Sequence, residues 1–199
     1  MKGVKYMIFS ILAGFLIAMG AAIYLTVGGV VGAVFFSLGL LTILHFQFKL
    51  FTGKAGLLAT QAISIRELIS IYCGNFLGVG CGASLIMLTH WGYRLVGPAS
   101  AIVDTRITNL PLENLIYGIF CGLLMYIAVN VFTTMPWVTV MCVSGFILAG
   151  FNHCIADMFY FIIGATDEKI VPMIAAIMTT TIGNIIGCNI IPLSKSYSQ

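Results

Sequence analysis

Charge is what this sequence has least of. Nine Lys/Arg and six Asp/Glu make up 8% of its 199 residues, against about a quarter in an ordinary soluble domain. That shortage excludes a water-soluble globule and a disordered chain alike. A net charge of +3 is too small and too scattered for nucleic-acid binding. The six cysteines include no C-x-x-C pair, so they are expected to pack as small apolar residues, with no metal site. Cofactor fingerprints are missing, and so is an acid–base pair at plausible spacing, so neither an enzyme nor a cofactor is expected. The first apolar run is too long and unbroken for a cleaved signal peptide.

What remains is apolar: 60% of residues are hydrophobic and the mean hydropathy is +1.10. A membrane-spanning helix takes roughly 20 apolar residues, so six spans use about 120. Apolar runs cover residues 6–27, 30–63 with a break at 47–54, 68–89, 112–134, 136–163 with a break at 150–153, and 170–193. A polar stretch over 92–111 connects the third run to the fourth. The expectation is an all-α integral membrane protein with six transmembrane helices, forming one channel domain over 1–199. Six spans put both ends on one side. A slight excess of Lys/Arg there favours termini in the cytoplasm, in the inner membrane of a prokaryote.

The order of runs suggests duplication. Gly74-Asn75-Phe76-Leu77-Gly78 in the third run and Gly183-Asn184-Ile185-Ile186-Gly187 in the sixth both read G-N-x-x-G. The run before each is broken by polar residues. A unit of three spans must place its second copy upside down, giving an inverted 3+3 repeat with halves at about 1–91 and 112–193. Broken helices paired in this way point to a transport site near the midplane. Glycines at four-residue spacing (Gly74, Gly78 and Gly82; Gly118 and Gly122; Gly183 and Gly187) let helix backbones approach closely.

Each break carries polar residues to membrane depth. The first runs from His45 to Lys54, and the second includes Asn152, His153 and Asp157. Non-helical backbone at that depth requires a protein-lined or water-filled cavity. Ionisable residues there usually mark a route for ions or protons, and half-helix N-termini suit an anion.

The chain resembles the formate/nitrite transporter family. The likeness is carried by Phe36-Ser37-Leu38-Gly39-Leu40, Leu50-Phe51-Thr52-Gly53, Gly74-Asn75 with Gly78, Gly150-Phe151 with His153 to Phe159, and Thr181 to Gly187, in that order. The resemblance implies a homopentamer of aquaporin-like protomers with broken second and fifth helices, each conducting a small monovalent anion such as formate, nitrite or hydrosulfide. By position it implies His153 as the central pore histidine with Thr52 facing it. It implies Phe36, Leu40, Leu50, Phe51, Met125 and Phe146 along the constriction, Arg106 in a vestibule, and Asn184 as a vestibule asparagine. The chain departs from the family where an acid is replaced by Lys49, a glutamate by Asn152, a serine by Cys154, an asparagine by Asp157, and another by Gly122.

A bare anion crosses an apolar constriction at a cost on the order of tens of kcal/mol, so protonation is the expected route. On this reading Arg106 attracts the anion, apolar rings strip its water, and a proton arrives by way of His153. The partners are then the anion or its conjugate acid, protons and membrane lipid. Lys49 and Asp157, one in each break, are expected to be paired structurally, Lys49 with Asp157 across the midplane or with carbonyl groups, because pairing limits the penalty of burial; the rival is Lys49 facing the pore and binding anion directly. Rival functions are a water- or glycerol-like neutral-solute channel, disfavoured by the lack of Asn-Pro-Ala, and a non-conducting membrane scaffold or assembly subunit.

Overall fold

In lipid a backbone must satisfy its own polar groups, and continuous apolar sequence does so as helix. The computed structural model describes residues 2–196, and among these it contains helices and their connections with no strand. Residue 1 and residues 197–199 of the expected domain lie outside the described residues. In chain order the helices are α1 (Lys2–Val27), α2 (Gly29–His45), α3 (Phe51–Ala55), α4 (Ile65–Met87), α5 (His90–Thr108), α6 (Pro111–Val131), α7 (Pro136–Leu148), α8 (Cys154–Gly164) and α9 (Ile170–Ser196). Four segments are long and apolar enough to cross a membrane: Val4–Val27, Ile65–Met87, Pro111–Val131 and Asp167–Lys195. Shorter apolar helices are α2, α7 and α8.

Local sequence sets the boundaries. Ser64 and Glu67 form a capping box at the start of α4. Pro111 and Pro136 open α6 and α7, where the missing N–H costs nothing.

The two breaks are built alike. α2 ends in a Schellman motif: Gln47 N–H donates to the Leu44 carbonyl and Phe48 N–H to that of Ile43. α7 ends the same way, with Gly150 N–H to Ile147 and Phe151 N–H to Phe146. The left-handed residue this turn requires is Gln47 (φ 57°) in the first break and Gly150 (φ 73°) in the second. Three residues later each chain re-enters a helix, with Leu50 and His153 as the N-caps.

The two G-N-x-x-G asparagines then perform one task twice. Asn75 Oδ1 accepts from Phe51 N–H, the first of α3, while its Nδ2 donates to the carbonyls of Lys49 and Ser10. Asn184 Oδ1 accepts from Cys154 N–H, the first of α8, while its Nδ2 donates to the carbonyls of Asn152 and Gly118. Each asparagine thus ties a half-helix start to its loop and to a long helix. The long helices pair closely, α1 with α4 and α6 with α9. A Cβ at Gly78 would collide with the Ile11 carbonyl, and one at Gly187 with that of Ile119.

Two expectations about elements need correction. The stretch over 92–111 is largely helical: α5 buries Gly92, Leu95, Ala99, Val103 and Arg106 on one face. It packs on α8 so tightly that Gly164 has no room for a Cβ beside Ser100. Its buried positions follow a helical period that its charges and Pro98 obscure. The second run was expected to resume through 63, but helix α3 stops at Ala55 and turns continue to Ser64. Asn189 on α9 takes the Ala55 carbonyl and the Ala59 N–H, satisfying the unwound backbone there.

Candidate functional site

The breaks meet at one hydrogen bond, Thr52 Oγ1 to His153 Nε2 at 2.9 Å. His153 is 2% exposed and is also the N-cap of α8, its Nδ1 accepting from Ala156 N–H at 3.1 Å. An imidazole nitrogen that accepts carries no hydrogen, so the neutral ring bears its proton on Nε2 and donates it to Thr52. The cap therefore fixes the tautomer. Phe146 stacks on the imidazole with centroids 5.5 Å apart, and Phe36 meets Phe146 edge-on at 6.1 Å. Leu40, Leu50 and Met125 are buried in the same core.

A cavity of about 180 Å³ lies beside each break. The first is lined by Tyr24, near the end of α1, with Arg106, Phe146, His153, Asp157 and Tyr160. The second, of similar size, is lined by Leu40, Gln47, Lys49, Leu50, Lys54 and Val129. Phe146 and His153 line one, Leu40 and Leu50 line the other, and Phe36 packs edge-on against Phe146. The Thr52–His153 hydrogen bond is the polar contact between the two breaks; His153 borders the first cavity, and Thr52 lines neither.

In the first cavity Arg106 Nε donates to Asp157 Oδ1 at 3.3 Å, and its Nη1 donates to the Gly150 carbonyl at 3.1 Å. Asn114 fixes the arginine's backbone: its Nδ2 donates to the Arg106 carbonyl, and its Oδ1 accepts from Asn152 Nδ2. In the second cavity Lys49 Nζ sits 5.2 Å from the Tyr6 ring centroid. Among the described residues neither Lys49 nor Lys54 has a carboxylate partner.

The expected Lys49–Asp157 pair is therefore corrected to Arg106–Asp157. Lys49 precedes the N-cap of α3 and lines the second cavity. Asp157 lies one turn into α8 and lines the first, where α5 delivers Arg106. Asn184 is likewise not a vestibule residue: it is 0% exposed and its amide is fully used in the strut described above. Phe51 lines neither cavity and packs edge-on against Tyr72. Sequence reading missed Asn75 as a strut, although its motif was visible. It also missed Tyr24, Tyr160 and Asn114, which no local pattern marks. Among the described residues no group of three or more His, Cys, Asp or Glu is arranged to hold a metal ion.

Comparison with known proteins bears on this geometry. A curated relative, the formate channel FocA of Haemophilus influenzae, is 27% identical over an alignment 150 residues long; the match covers 65% of this chain and 51% of the relative. The match thus spans about half the relative's length. A solved structure described as a pentameric formate channel with formate bound superposes with a TM-score of 0.82 at 21% identity, covering 99% of this chain and 97% of that one. Another, described as an FNT family ion channel, gives 0.83 at 19% identity, covering 98% and 90%. These two likenesses establish the fold. The sequence pattern of the formate/nitrite transporters matches residues 1–194, taking in both breaks, both asparagine struts and the helices that carry them; this chain belongs to the formate/nitrite transporter family.

Proposed function

We propose that this chain conducts small monovalent weak-acid anions, formate among them, across a membrane through a pore in each protomer. The observation that carries the reading is the Thr52–His153 hydrogen bond, made where two half-helices start and bordering the first cavity. The family supports it, as do relatives described as formate channels. Six spans follow if α2 with α3, and α7 with α8, each cross once beside the four long helices. The matched struts at Asn75 and Asn184 support two halves, at about 1–91 and 112–193, within one domain. A homopentamer is supported by the relative described as pentameric. The start of α1 and the end of α9 lie toward the side of the second cavity, because Lys49 N–H bonds the Phe9 carbonyl and Lys54 shares a cavity with Lys195. We assign that side to the cytoplasm of a prokaryotic inner membrane.

The mechanism follows from this site. An anion leaving a cavity loses water against Phe36, Leu40 and Phe146, and dehydration disfavours its charged form. It takes a proton and passes as the neutral acid. His153 serves as a neutral donor: its Nε2–H swings from Thr52 to the passing oxygen, while the cap on Nδ1 keeps the ring in place. An imidazolium would have to release Ala156 N–H, so the ring favours donating a hydrogen bond to the passing acid over storing a second proton.

The test is flux in proteoliposomes. His153→Phe keeps the ring volume and the stack on Phe146 but removes the donor. Loss of one hydrogen bond to the passing acid is worth about 0.5–1.5 kcal/mol, or roughly a 2- to 13-fold fall in formate flux. The fall should hold across about pH 5–8, the window in which an ordinary histidine titrates. Wild-type flux in the variant would refute the role given to His153, and no flux in the wild type would refute transport itself.

A further inference from the structure

Of the six Asp and Glu residues, Asp157 alone is buried, at 1% exposure. Its ion pair with Arg106 is lopsided. A guanidinium placed only to neutralise a carboxylate meets it with two parallel hydrogen bonds. Here only Nε reaches Oδ1, while Nη1 and Nη2 turn to the carbonyls of Gly150 and Phe151. Asp157 Oδ2 is enclosed and has no hydrogen-bond partner in the protein. A strong acceptor is thus left unpaired beside an arginine with N–H groups to spare, on a residue that lines the same cavity as His153.

Charge counting gives this arrangement a use. Arg106 and Asp157 sum to zero, so an anion reaching Arg106 leaves one uncompensated negative charge in a poorly screened space. Uptake of one proton cancels it. We propose that Asp157 is the proton donor of this cavity, protonated on Oδ2 as a small monocarboxylate docks on Arg106 and passing that proton to the bound anion. In the first step an O–H bond of a hydronium ion breaks, the Oδ2–H bond forms, and water leaves. In the second the Oδ2–H bond breaks and an O–H bond forms on the substrate, restoring the Arg106–Asp157 pair. No electrons change hands. The neutral acid then moves on to the Phe146–His153 stack.

The groups facing Asp157 leave it this role. Arg106 from α5 is the one charged neighbour. Tyr24 from α1, Tyr160 on α8 and Tyr72 from α4 are phenols. Cys121 from α6 and Cys154 on α8 are thiols. Both classes are far weaker acids than a carboxylic acid, at about 10 and about 8.5 against about 3.9 unperturbed. His153 has both ring nitrogens engaged. Transfer between two carboxyl groups is nearly balanced, so the proton moves without a large barrier from mismatched acidity.

This inference rests on the transport reading, and one experiment separates them. The intact chain in proteoliposomes is given a formate gradient under a clamped membrane potential, with tracer formate and an internal pH dye followed together. Wild type should move about one proton per formate, and its flux should not respond to the potential. In Asp157→Asn the flux that remains should become potential-sensitive, with the proton-to-formate ratio at least threefold lower, and Asp157→Glu should restore both. An unchanged ratio in Asp157→Asn overturns the proposal and leaves transport standing; no formate flux in wild type overturns transport. If Asp157→Asn does not fold, infrared difference spectra of wild type on adding nitrite decide the point. Nitrite has no carboxyl group, so a protonated-carboxyl band from the one buried acid supports the proposal, and its absence overturns it.

Discussion

A single residue type, asparagine, holds both half-helices in register. Asn75 and Asn184 each satisfy a first-turn N–H and a loop carbonyl at a depth where water is scarce. Leaving a buried polar group unpaired costs about 1–3 kcal/mol, so Asn75→Ala and Asn184→Ala should each lower stability by at least that much. Thermal unfolding in detergent checks this, and the two variants should fall by similar amounts because the two struts match bond for bond. A neutral result at either position would mean that its half-helix is held by packing instead. The shared G-N-x-x-G spelling made these residues visible in the sequence, but only contact reveals what they do. Asp157 was visible too, as a charge in an apolar run. Its partner was not, because Arg106 arrives from a helix that begins in polar sequence.

At the scale of elements, the breaks were legible and their construction was not. Polar residues in apolar runs located them, yet nothing local says that both end in the same turn. Glutamine fills the left-handed position in one and glycine in the other. A side chain in that conformation costs roughly 1–2 kcal/mol. Gln47→Gly should therefore raise stability by up to about 1 kcal/mol, the gain being reduced by glycine's greater freedom in the unfolded chain. Gly150→Ala should cost about 1–2 kcal/mol, and purely through backbone strain, since a Cβ there would meet nothing within 4 Å. Opposite signs in paired thermal melts are the expected outcome. Helix α5 was the element that sequence reading failed to find. It lies against α8 instead of spanning as an apolar rod, so it lacks the long apolar run by which the other helices were recognised. Its burial depends on a neighbour more than fifty positions away, which a local window cannot see.

At the scale of the whole molecule, scarce charge is distributed unequally between the two cavities. The first cavity holds a cation and an anion that cancel, whereas the second holds Lys49 and Lys54 with no carboxylate partner among the described residues. A cleft lined by one sign of charge focuses the field and can raise the arrival rate of an opposite charge by about 10-fold or more. On the proposed pathway the second cavity should therefore load anions faster than the first. Uniformly oriented proteoliposomes, with tracer formate presented from one side at a time, measure this directly. Lys49→Gln with Lys54→Gln should slow loading from the second-cavity side by up to about tenfold at low ionic strength. Loading from the Arg106 side should change much less. Added salt should shrink the difference, since the screening length falls from about 30 Å at 0.01 M to about 8 Å at 0.15 M. An equal loss from both sides, independent of salt, would assign the two lysines to packing against Tyr6 and the α3 turn. A loss confined to one side and sensitive to salt would place the anion-collecting field of this chain at the cavity that Lys49 and Lys54 line.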